Sequence, residues 1–372
     1  MKSAIKNIIK VIVYIIIILF LFKYFLNIFA PFDNLFLIKN RGQFSRYKNK
    51  TIDVIYLGPS GTYSGISPIS IYKNYGITGF DVSIESSVLG LNNFQMNNLK
   101  INKKQDAKVL MLDLDTYFRN FLKSSNKNEV IHKNIDFYRL NKSKIDFVNE
   151  SKYGFNMADK VSYLIPFFSY HDMWNKSVNR YFDFDRLKSS ETFKDGLVCA
   201  GARESSDIKK VKNQYYMQIP TNTKDENYEN YNYDDFLRIK KYCEDNNIKL
   251  ILIVAPDPSA WDKNKHDTIE KLASDNNLEY LDFNTMYDET KIDMNTDFFD
   301  GAAHLNINGQ IKLSNYIGQY LKDNYNLEDH RGDPKYKQWD KDLEEYKKYE
   351  KVWLAEYNKN LENLQKQQEK SK

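Results

Sequence analysis

The stretch VIYLGPSGTYSG, residues 54–65, joins a run of β-branched and apolar residues to a turn of glycine, proline and serine. A short apolar run that ends at glycine is typical of a buried strand, and we predict a strand over 51–58. The turn places one hydroxyl, Ser60, between Pro59 and Gly61. Ser60 is either a turn residue or a nucleophile, and the choice depends on whether a base and an acid lie elsewhere within reach.

Strand and helix patterns alternate on both sides of a long central stretch. Further strands are predicted at 79–85, 107–115, 248–256 and 278–284, and helices at 67–76, 88–102, 233–247, 266–277 and 306–325. Five strands alternating with helices indicate a five-stranded parallel sheet covered on both faces, a three-layer α/β/α fold. Ligands bind such sheets beyond the carboxyl ends of the strands. Ser60 follows the first strand, and Asp113 and Asp115 end the third, so we expect Asp115 to line a substrate cleft there.

The residues that can activate Ser60 follow the last predicted strand. A serine nucleophile needs an imidazole to take its proton and a carboxylate to orient that imidazole. The chain has five histidines, and DFFDGAAHLN (297–306) pairs His304 with Asp300, four residues earlier. Because this loop and Ser60 fall at the same edge of the predicted sheet, we predict the triad Ser60, His304 and Asp300. His171, in SYHDMW, is interpreted either as a cleft residue or as a buried histidine with satisfied hydrogen bonds.

The N-terminus predicts a membrane anchor. Lysines at 2, 6 and 10 precede an apolar run over 11–30, and about 20 helical residues span a bilayer core. A cleaved signal peptide is the alternative, but no clear A-x-A site follows. We expect residues 1–10 in the cytoplasm, 11–30 in the membrane and 31–50 as a stalk outside, although basic residues flank both ends of the run.

The rest of the chain is predicted as one catalytic domain with two additions. Its 372 residues are enough for a sizeable α/β domain with appendages. We place that domain at 51–325, with an insertion over about 116–230 and a charged helical tail over 326–372. Six apolar tail residues fall roughly on one helical face: Leu343, Tyr346, Trp353, Tyr357, Leu361 and Leu364. That face can pack on the domain or bind a partner helix.

Composition excludes some classes of function. Charged residues make up 28% of the chain, the net charge is +4, and there is no basic stripe of the kind that binds nucleic acid. The two cysteines, Cys199 and Cys243, have no metal-ligand spacing. They indicate either one disulfide or two buried thiols, and we expect neither a metal nor a cofactor.

The order of these motifs resembles the SGNH/GDSL hydrolase superfamily, in which the serine follows the first strand and the Asp–His pair is clustered near the end. Five segments are similar to membrane-anchored SGNH proteins of low-GC Gram-positive bacteria: DVIYLGPSGTYSGISPISIYKNYGITGFDVS, LIPFFSYHDMW, LILIVAPDP, TDFFDGAAHLNINGQIKLSNYIGQYL and HRGDPKYKQWDKDL. Together they cover roughly 50–345. The resemblance implies a flavodoxin-like fold. More distantly, the chain is similar to the D-alanyl transfer proteins of teichoic acid and to alginate O-acetylation proteins.

The chain departs from the family pattern at several positions. Pro59 precedes the serine and Gly61 replaces the usual histidine after it, and the Asp-to-His spacing is four where the family has three. The second block reads SIESSVLG and the third, LDLDTY, lacks the usual asparagine. The oxyanion hole implied by the resemblance therefore comprises the N–H of Ser60 with Ser86 or Ser87.

The resemblance implies an extracytoplasmic O-acyltransferase that works with an integral membrane O-acyltransferase (MBOAT-type) as acyl donor. The acceptor would be a hydroxyl of a cell-surface glycopolymer, and the acyl group is often acetyl. Two alternatives remain: a carbohydrate acetylesterase with the same residues, and a non-catalytic scaffold of the acylation system. The implied location is the cell membrane, single-pass, with the catalytic domain outside.

Overall fold

The computed structural model describes residues 2–29, 44, 46, 47, 50–99, 105, 107–119, 127–136, 138, 140–170, 199–218 and 228–370. The chain divides into two compact units. The first takes in the described residues within 1–38 and 126–195, and the second those within 39–125 and 196–372. Of the predicted insertion, therefore, residues 199–218 belong to the same unit as the sheet.

The second unit contains a five-stranded parallel sheet, as the sequence predicts. Its strands are β1 (Val54–Leu57), β2 (Gly79–Asp81), β3 (Val109–Asp113), β4 (Lys249–Val254) and β5 (Glu279–Asp282). They lie in the order β2-β1-β3-β4-β5, with Ile55 opposite Leu110 and Leu110 opposite Leu250. This is the flavodoxin-like order, in which the connections change direction between β1 and β3.

The helices are, in chain order, α1 (Lys2–Phe29), α2 (Ser60–Gly65), α3 (Pro68–Tyr75), α4 (Leu89–Leu99), α5 (Lys127–Ile135), α6 (Lys142–Asn149), α7 (Met157–Leu164), α8 (Phe167–Tyr170), α9 (Tyr228–Asp245), α10 (Lys263–Asp275), α11 (Tyr287–Thr290), α12 (Ile307–Asn324) and α13 (Lys337–Lys370). Short 3-10 helices occupy Leu114–Phe118, Ser151–Tyr153, Tyr216–Gln218 and Pro334–Tyr336. The predicted strands and helices are all present, with shorter strands. One prediction was wrong: the turn after β1 is the start of α2.

Helices cover both faces of the sheet. Ile55 and Leu57 of β1 join one core cluster, to which α4, α9, α10 and α13 contribute. Val54 and Tyr56 point the other way, into a cluster with Leu313 of α12. All four side chains are fully buried. Because both faces of a parallel sheet are covered, the strand reads as an unbroken apolar run rather than an alternating one.

The two cysteines are free thiols inside the second unit, Cys199 and Cys243. Burial raises the pKa of Cys243 to about 12 and that of Cys199 well above its usual value. A thiol held in its neutral form is a poor nucleophile. Of the two possibilities that the sequence left open, a disulfide or two buried thiols, the structure has the two thiols.

The first unit contains α1 and α5 to α8. Within α1, residues Ile5–Phe22 have a mean hydropathy of 2.5, and no part of this window is buried. Its length and composition are sufficient to cross a membrane.

Candidate active site

The site lies where the carboxyl ends of β1 and β3 meet, at the switch point of the sheet. Gly58 directly follows β1. An added Cβ there would lie 2.2 Å from Thr62 Oγ1 and 2.5 Å from Asp113 Cβ. Only glycine therefore lets the chain turn this close to β3. Pro59 is extended and forms the N-cap of α2, which makes Ser60 the first helical residue.

Ser60, His304 and Asp300 form one hydrogen-bonded series. His304 Nε2 lies 2.8 Å from Ser60 Oγ, and His304 Nδ1 lies 2.5 Å from Asp300 Oδ2. The side chains of His304 and Asp300 are 26% and 29% exposed, so solvent and a ligand can reach them. The structure thus brings together the three residues predicted as a triad, in the order hydroxyl, imidazole, carboxylate.

A non-helical loop produces the four-residue spacing between Asp300 and His304. Phe298 and Leu305 form an antiparallel bridge at its base. Asp300 Oδ1 accepts hydrogen bonds from the N–H groups of Ala302 (2.8 Å) and His304 (3.3 Å). Gly301, with φ of +69°, makes the tight turn between them.

These contacts set the charge of Asp300. Burial on its own raises the pKa of this carboxyl, but the hydrogen bonds from the His304 ring and from the Ala302 and His304 N–H groups outweigh it. The net pKa of Asp300 is below its usual value. The carboxylate therefore stays ionised at neutral pH and can hold the Nδ1–H tautomer of the imidazole.

A buried carboxylate braces this loop, and sequence reasoning did not identify it. Asp297 is fully buried. It accepts hydrogen bonds from the Asp293 N–H at 2.7 Å and Asn308 Nδ2 at 2.8 Å and pairs with Lys312 Nζ at 2.7 Å. Asn308 Nδ2 also reaches the hydroxyl of Tyr357 on α13, at 3.2 Å. The C-terminal helix thus supports the loop that carries His304.

A second buried carboxyl supports α2 from β3. Asp113 is fully buried. Its Oδ2 accepts a hydrogen bond from Thr62 Oγ1 at 2.9 Å and one from the Ala255 N–H at 3.3 Å. Burial raises the pKa of Asp113 to about 7, and the nearby Asp115 charge adds to the shift. Asp113, at the end of β3, is therefore hydrogen-bonded to α2 and to the residue that follows β4.

The roles predicted for Asp115 in the cleft and for Ser86 or Ser87 in the oxyanion hole stay predictions. Asp115 is buried and pairs with Arg119. Ser87 is buried, and its hydroxyl bonds to Asn92 Oδ1 and, at 3.3 Å, to the Val88 carbonyl. Ser86 is exposed in a turn with φ of +53°. In the described part of the chain, no hydrogen bond or ion pair joins any of these to Ser60 or His304. His171 lies outside the described residues.

The serine turn itself offers donors for an oxyanion. The first N–H groups of a helix have no partner within that helix. Neither the Ser60 N–H nor the Gly61 N–H has a hydrogen-bond acceptor among the described residues. Both groups sit beside the Ser60 hydroxyl, where a developing negative charge would need them.

Two side chains next to the imidazole were also missed by sequence reasoning. The Phe299 ring stacks on the His304 ring, with centroids 5.3 Å apart and planes at 16°. The Arg203 guanidinium lies 5.8 Å from the centroid of the Phe299 ring. Arg203 is almost 100 positions from either ring in sequence, so no local pattern connects them.

The described residues contain one group with metal-like spacing, away from the triad. Ligand atoms of His266, Asp267 and Glu270 lie within 4.8 Å of one another on α10. His266 Nδ1 is already bound to Asp282 at 2.6 Å, and Lys263 pairs with Asp267 at 2.6 Å. Because His266 and Asp267 already have these partners, we assign the group no chemistry.

Comparison with known protein families finds no family whose profile matches this chain, and comparison with curated proteins finds no match either. The geometry of the residues themselves is therefore the basis of the function proposed below.

Proposed function

We propose that this chain is a membrane-anchored SGNH-type serine O-acyltransferase. It would move an acyl group, acetyl in the simplest case, to a hydroxyl of a cell-surface polysaccharide or teichoic-acid-like polymer. The observation that carries the proposal is the series Ser60 Oγ, His304 Nε2, His304 Nδ1 and Asp300 Oδ2, with separations of 2.8 and 2.5 Å across the two hydrogen bonds. Its position at the switch point of a parallel sheet adds support, because ligands bind there.

The first half-reaction acylates the serine. Ser60 Oγ attacks the acyl carbon of the donor while its proton passes to His304 Nε2, and the carbonyl electron pair moves onto oxygen. The N–H groups of Ser60 and Gly61 donate to that oxygen. The tetrahedral species collapses, the bond to the leaving group breaks, and the leaving group takes the proton from His304.

The second half-reaction transfers the acyl group. An acceptor hydroxyl gives its proton to His304 Nε2 as its oxygen attacks the acyl-serine ester. Collapse expels Ser60 Oγ, which recovers the proton from His304. Asp300 remains ionised throughout and stabilises the imidazolium that forms twice in each cycle.

The apolar helix α1 is consistent with this proposal, because its length and composition are sufficient to anchor the chain in a membrane. A single apolar helix would hold the site near the outer surface, where an integral membrane O-acyltransferase could present the acyl group. The polymer acceptor would approach from the outside. With the same residues and water as acceptor, the chain would be an acetylesterase, the second candidate.

The test is to trap the acyl-enzyme and follow its fate. The full chain in detergent is mixed with 4-nitrophenyl acetate, quenched in acid, digested and examined by mass spectrometry. We expect acetyl on the peptide that contains Ser60, and none in the Ser60→Ala variant. Absence of acetyl on Ser60 in the wild type would contradict both enzyme functions and favour a non-catalytic scaffold. If the acetyl group is released as acetate, and an added sugar alcohol is not acetylated, the esterase would be favoured.

A further inference from the structure

One segment of the second unit, residues 203–212, lies along α2, which begins at Ser60, and along the loop that carries Asp300 and His304. Its backbone is joined to them by three hydrogen bonds from its N–H groups: Arg203 to the Tyr63 carbonyl (2.8 Å), Lys209 to the Phe298 carbonyl (2.8 Å) and Val211 to the Met294 carbonyl (2.9 Å). Gly301 packs so closely on it that an added Cβ would lie 2.8 Å from the Lys210 carbonyl oxygen. The 203–212 segment is therefore a fixed wall of the site.

This wall carries an excess of positive charge. Arg203, Lys209, Lys210 and Lys212 are all exposed. None of the four forms an ion pair with a carboxylate in the described part of the chain. The two acids within the segment, Glu204 and Asp207, are too few to balance the four cations.

Arg203 is linked to the reacting groups through the Phe299 ring, which stacks on the His304 ring. Its backbone is held on both sides, since its N–H donates to Tyr63 and its carbonyl accepts from Gln310 Nε2 at 3.1 Å. The guanidinium lies 5.8 Å from the centroid of the uncharged Phe299 ring. Burial and the nearby Glu85 carboxylate raise the pKa of the Tyr63 hydroxyl, and the guanidinium lowers it. Arg203 thus presents a guanidinium that forms no ion pair with a described carboxylate, one stacked ring away from His304.

We propose that the acceptor is an anionic glycopolymer and that Arg203 binds one of its phosphate or carboxylate groups beside the hydroxyl that is acylated. This rests on the function proposed above and names its substrate class. A guanidinium matches both anions through paired N–H donors, which also fix their orientation. Lys209, Lys210 and Lys212 would hold further anionic groups along the polymer, and that part of the interaction would weaken with salt.

The first experiment compares acceptors of different charge. The full chain in detergent takes acetyl from 4-nitrophenyl acetate, and acetylated methyl glucoside, methyl glucuronide and glucose 6-phosphate are quantified by mass spectrometry. We expect one or both anions to be preferred over the neutral sugar by about tenfold, as for a hydrogen bond between charged groups. Arg203→Gln should reduce that ratio to within about twofold, and Arg203→Lys should keep part of it.

Lys322→Gln is the matched control. Lys322 is exposed in the last turn of α12, and its replacement removes the same charge away from the wall. The acceptor ratio should stay at its wild-type value. Equal use of all three sugars by the wild type, or an unchanged ratio in Arg203→Gln, would overturn the proposal.

A binding measurement separates this inference from the proposed chemistry. The full-length Ser60→Ala variant is titrated with fluorescent polygalacturonate, polyphosphate and dextran. We expect binding to at least one polyanion, no binding to dextran, and weaker binding when Lys209, Lys210 and Lys212 are all changed to Gln. If Ser60 is never acylated but polyanions bind in this way, the proposed function fails and the anionic surface stands. If Ser60 is acylated but polyanions and dextran bind alike, only the anionic acceptor is wrong.

Discussion

Two regions of the molecule each place a serine, a histidine and an aspartate in hydrogen-bonding order, and only one of them looks like an active site. In the second unit, His304 lies between Ser60 and Asp300. In the first unit, His132 Nδ1 lies 2.8 Å from Asp136 Oδ2, and its Nε2 lies 3.0 Å from Ser169 Oγ. Distances alone do not distinguish the two sets.

Their surroundings do distinguish them. His132 and Asp136 have only 10% and 8% of their side chains exposed, against 26% and 29% for His304 and Asp300. His132 Nε2 also lies 3.4 Å from a second hydroxyl, that of Ser162. The Ser169 N–H already donates to the Pro166 carbonyl at 3.0 Å, whereas the Ser60 N–H has no described acceptor.

Hydrogen bonding between the three side chains is therefore not enough to make an active site. A nucleophile also needs access for the substrate and a free donor for the oxyanion. The set around His132 satisfies a buried histidine that shares one helix face with Asp136. We therefore interpret it as structural, and the predictions below test the contrast between the two sets.

The largest expected difference is between the two serines. If the proposed function is right, Ser60→Ala should lower the turnover of 4-nitrophenyl acetate by about 10⁴-fold or more, because the proposed acyl-enzyme forms on Ser60. Ser169→Ala should leave turnover within about twofold, since it removes one hydrogen bond to a buried ring. Both are measured on the full chain, with thermal unfolding as the control for folding. Equal losses would show that the two sets cannot be ranked by exposure.

Substitution of the two aspartates should have different effects: Asp300 should affect the rate of turnover, and Asp136 the stability of the fold. Asp300→Asn should lower turnover by about 10³- to 10⁴-fold, because the imidazole loses the partner that fixes its tautomer. Asp136→Asn should cost about 1–3 kcal/mol of stability with little change in rate, because it weakens a buried hydrogen bond. The readouts are turnover and the unfolding temperature. A large rate loss in Asp136→Asn would contradict a structural role for that set.

Two glycines with positive φ provide a smaller test of the loop around Asp300. Gly301→Ala places a Cβ 2.8 Å from the Lys210 carbonyl oxygen, whereas Gly154→Ala in the first unit meets nothing within 4 Å. Both changes carry a backbone cost of about 1 kcal/mol. Only Gly301→Ala should displace Asp300 and lower turnover, by roughly 10- to 100-fold. If turnover falls equally in both variants, the close contact between residue 301 and the Lys210 carbonyl does not explain the loss.

The smallest expected effect concerns pH. Because the pKa of Asp113 is raised to about 7 in the folded protein, the folded state binds more protons than the unfolded state between about pH 4 and pH 7, and stability falls as pH rises through that range. Asp113→Asn should flatten this slope. Unfolding temperatures across the range, compared with those of the wild type, measure the difference. An unchanged or steeper slope would show that burial does not raise this pKa.

Much of the fold was predictable, since the apolar runs that form β1, β3 and β4 are short, continuous and bounded by glycine or charge. Asp300 was predictable from its four-residue spacing to His304. Asp297, in the same DFFD stretch, carries no signal that marks it as the buried partner of Lys312. Arg203 could not be placed either, because its position depends on packing between distant segments.

The most direct test of the account is labelling of the full chain with a fluorophosphonate, followed by mapping of the modified serine by mass spectrometry. The two hydrogen-bonded serines compete in one experiment, under the same conditions. We predict phosphonylation of Ser60, loss of that label in His304→Ala, and no label on Ser169. A label on Ser169, or a wild-type chain with Ser60 unmodified, would contradict it.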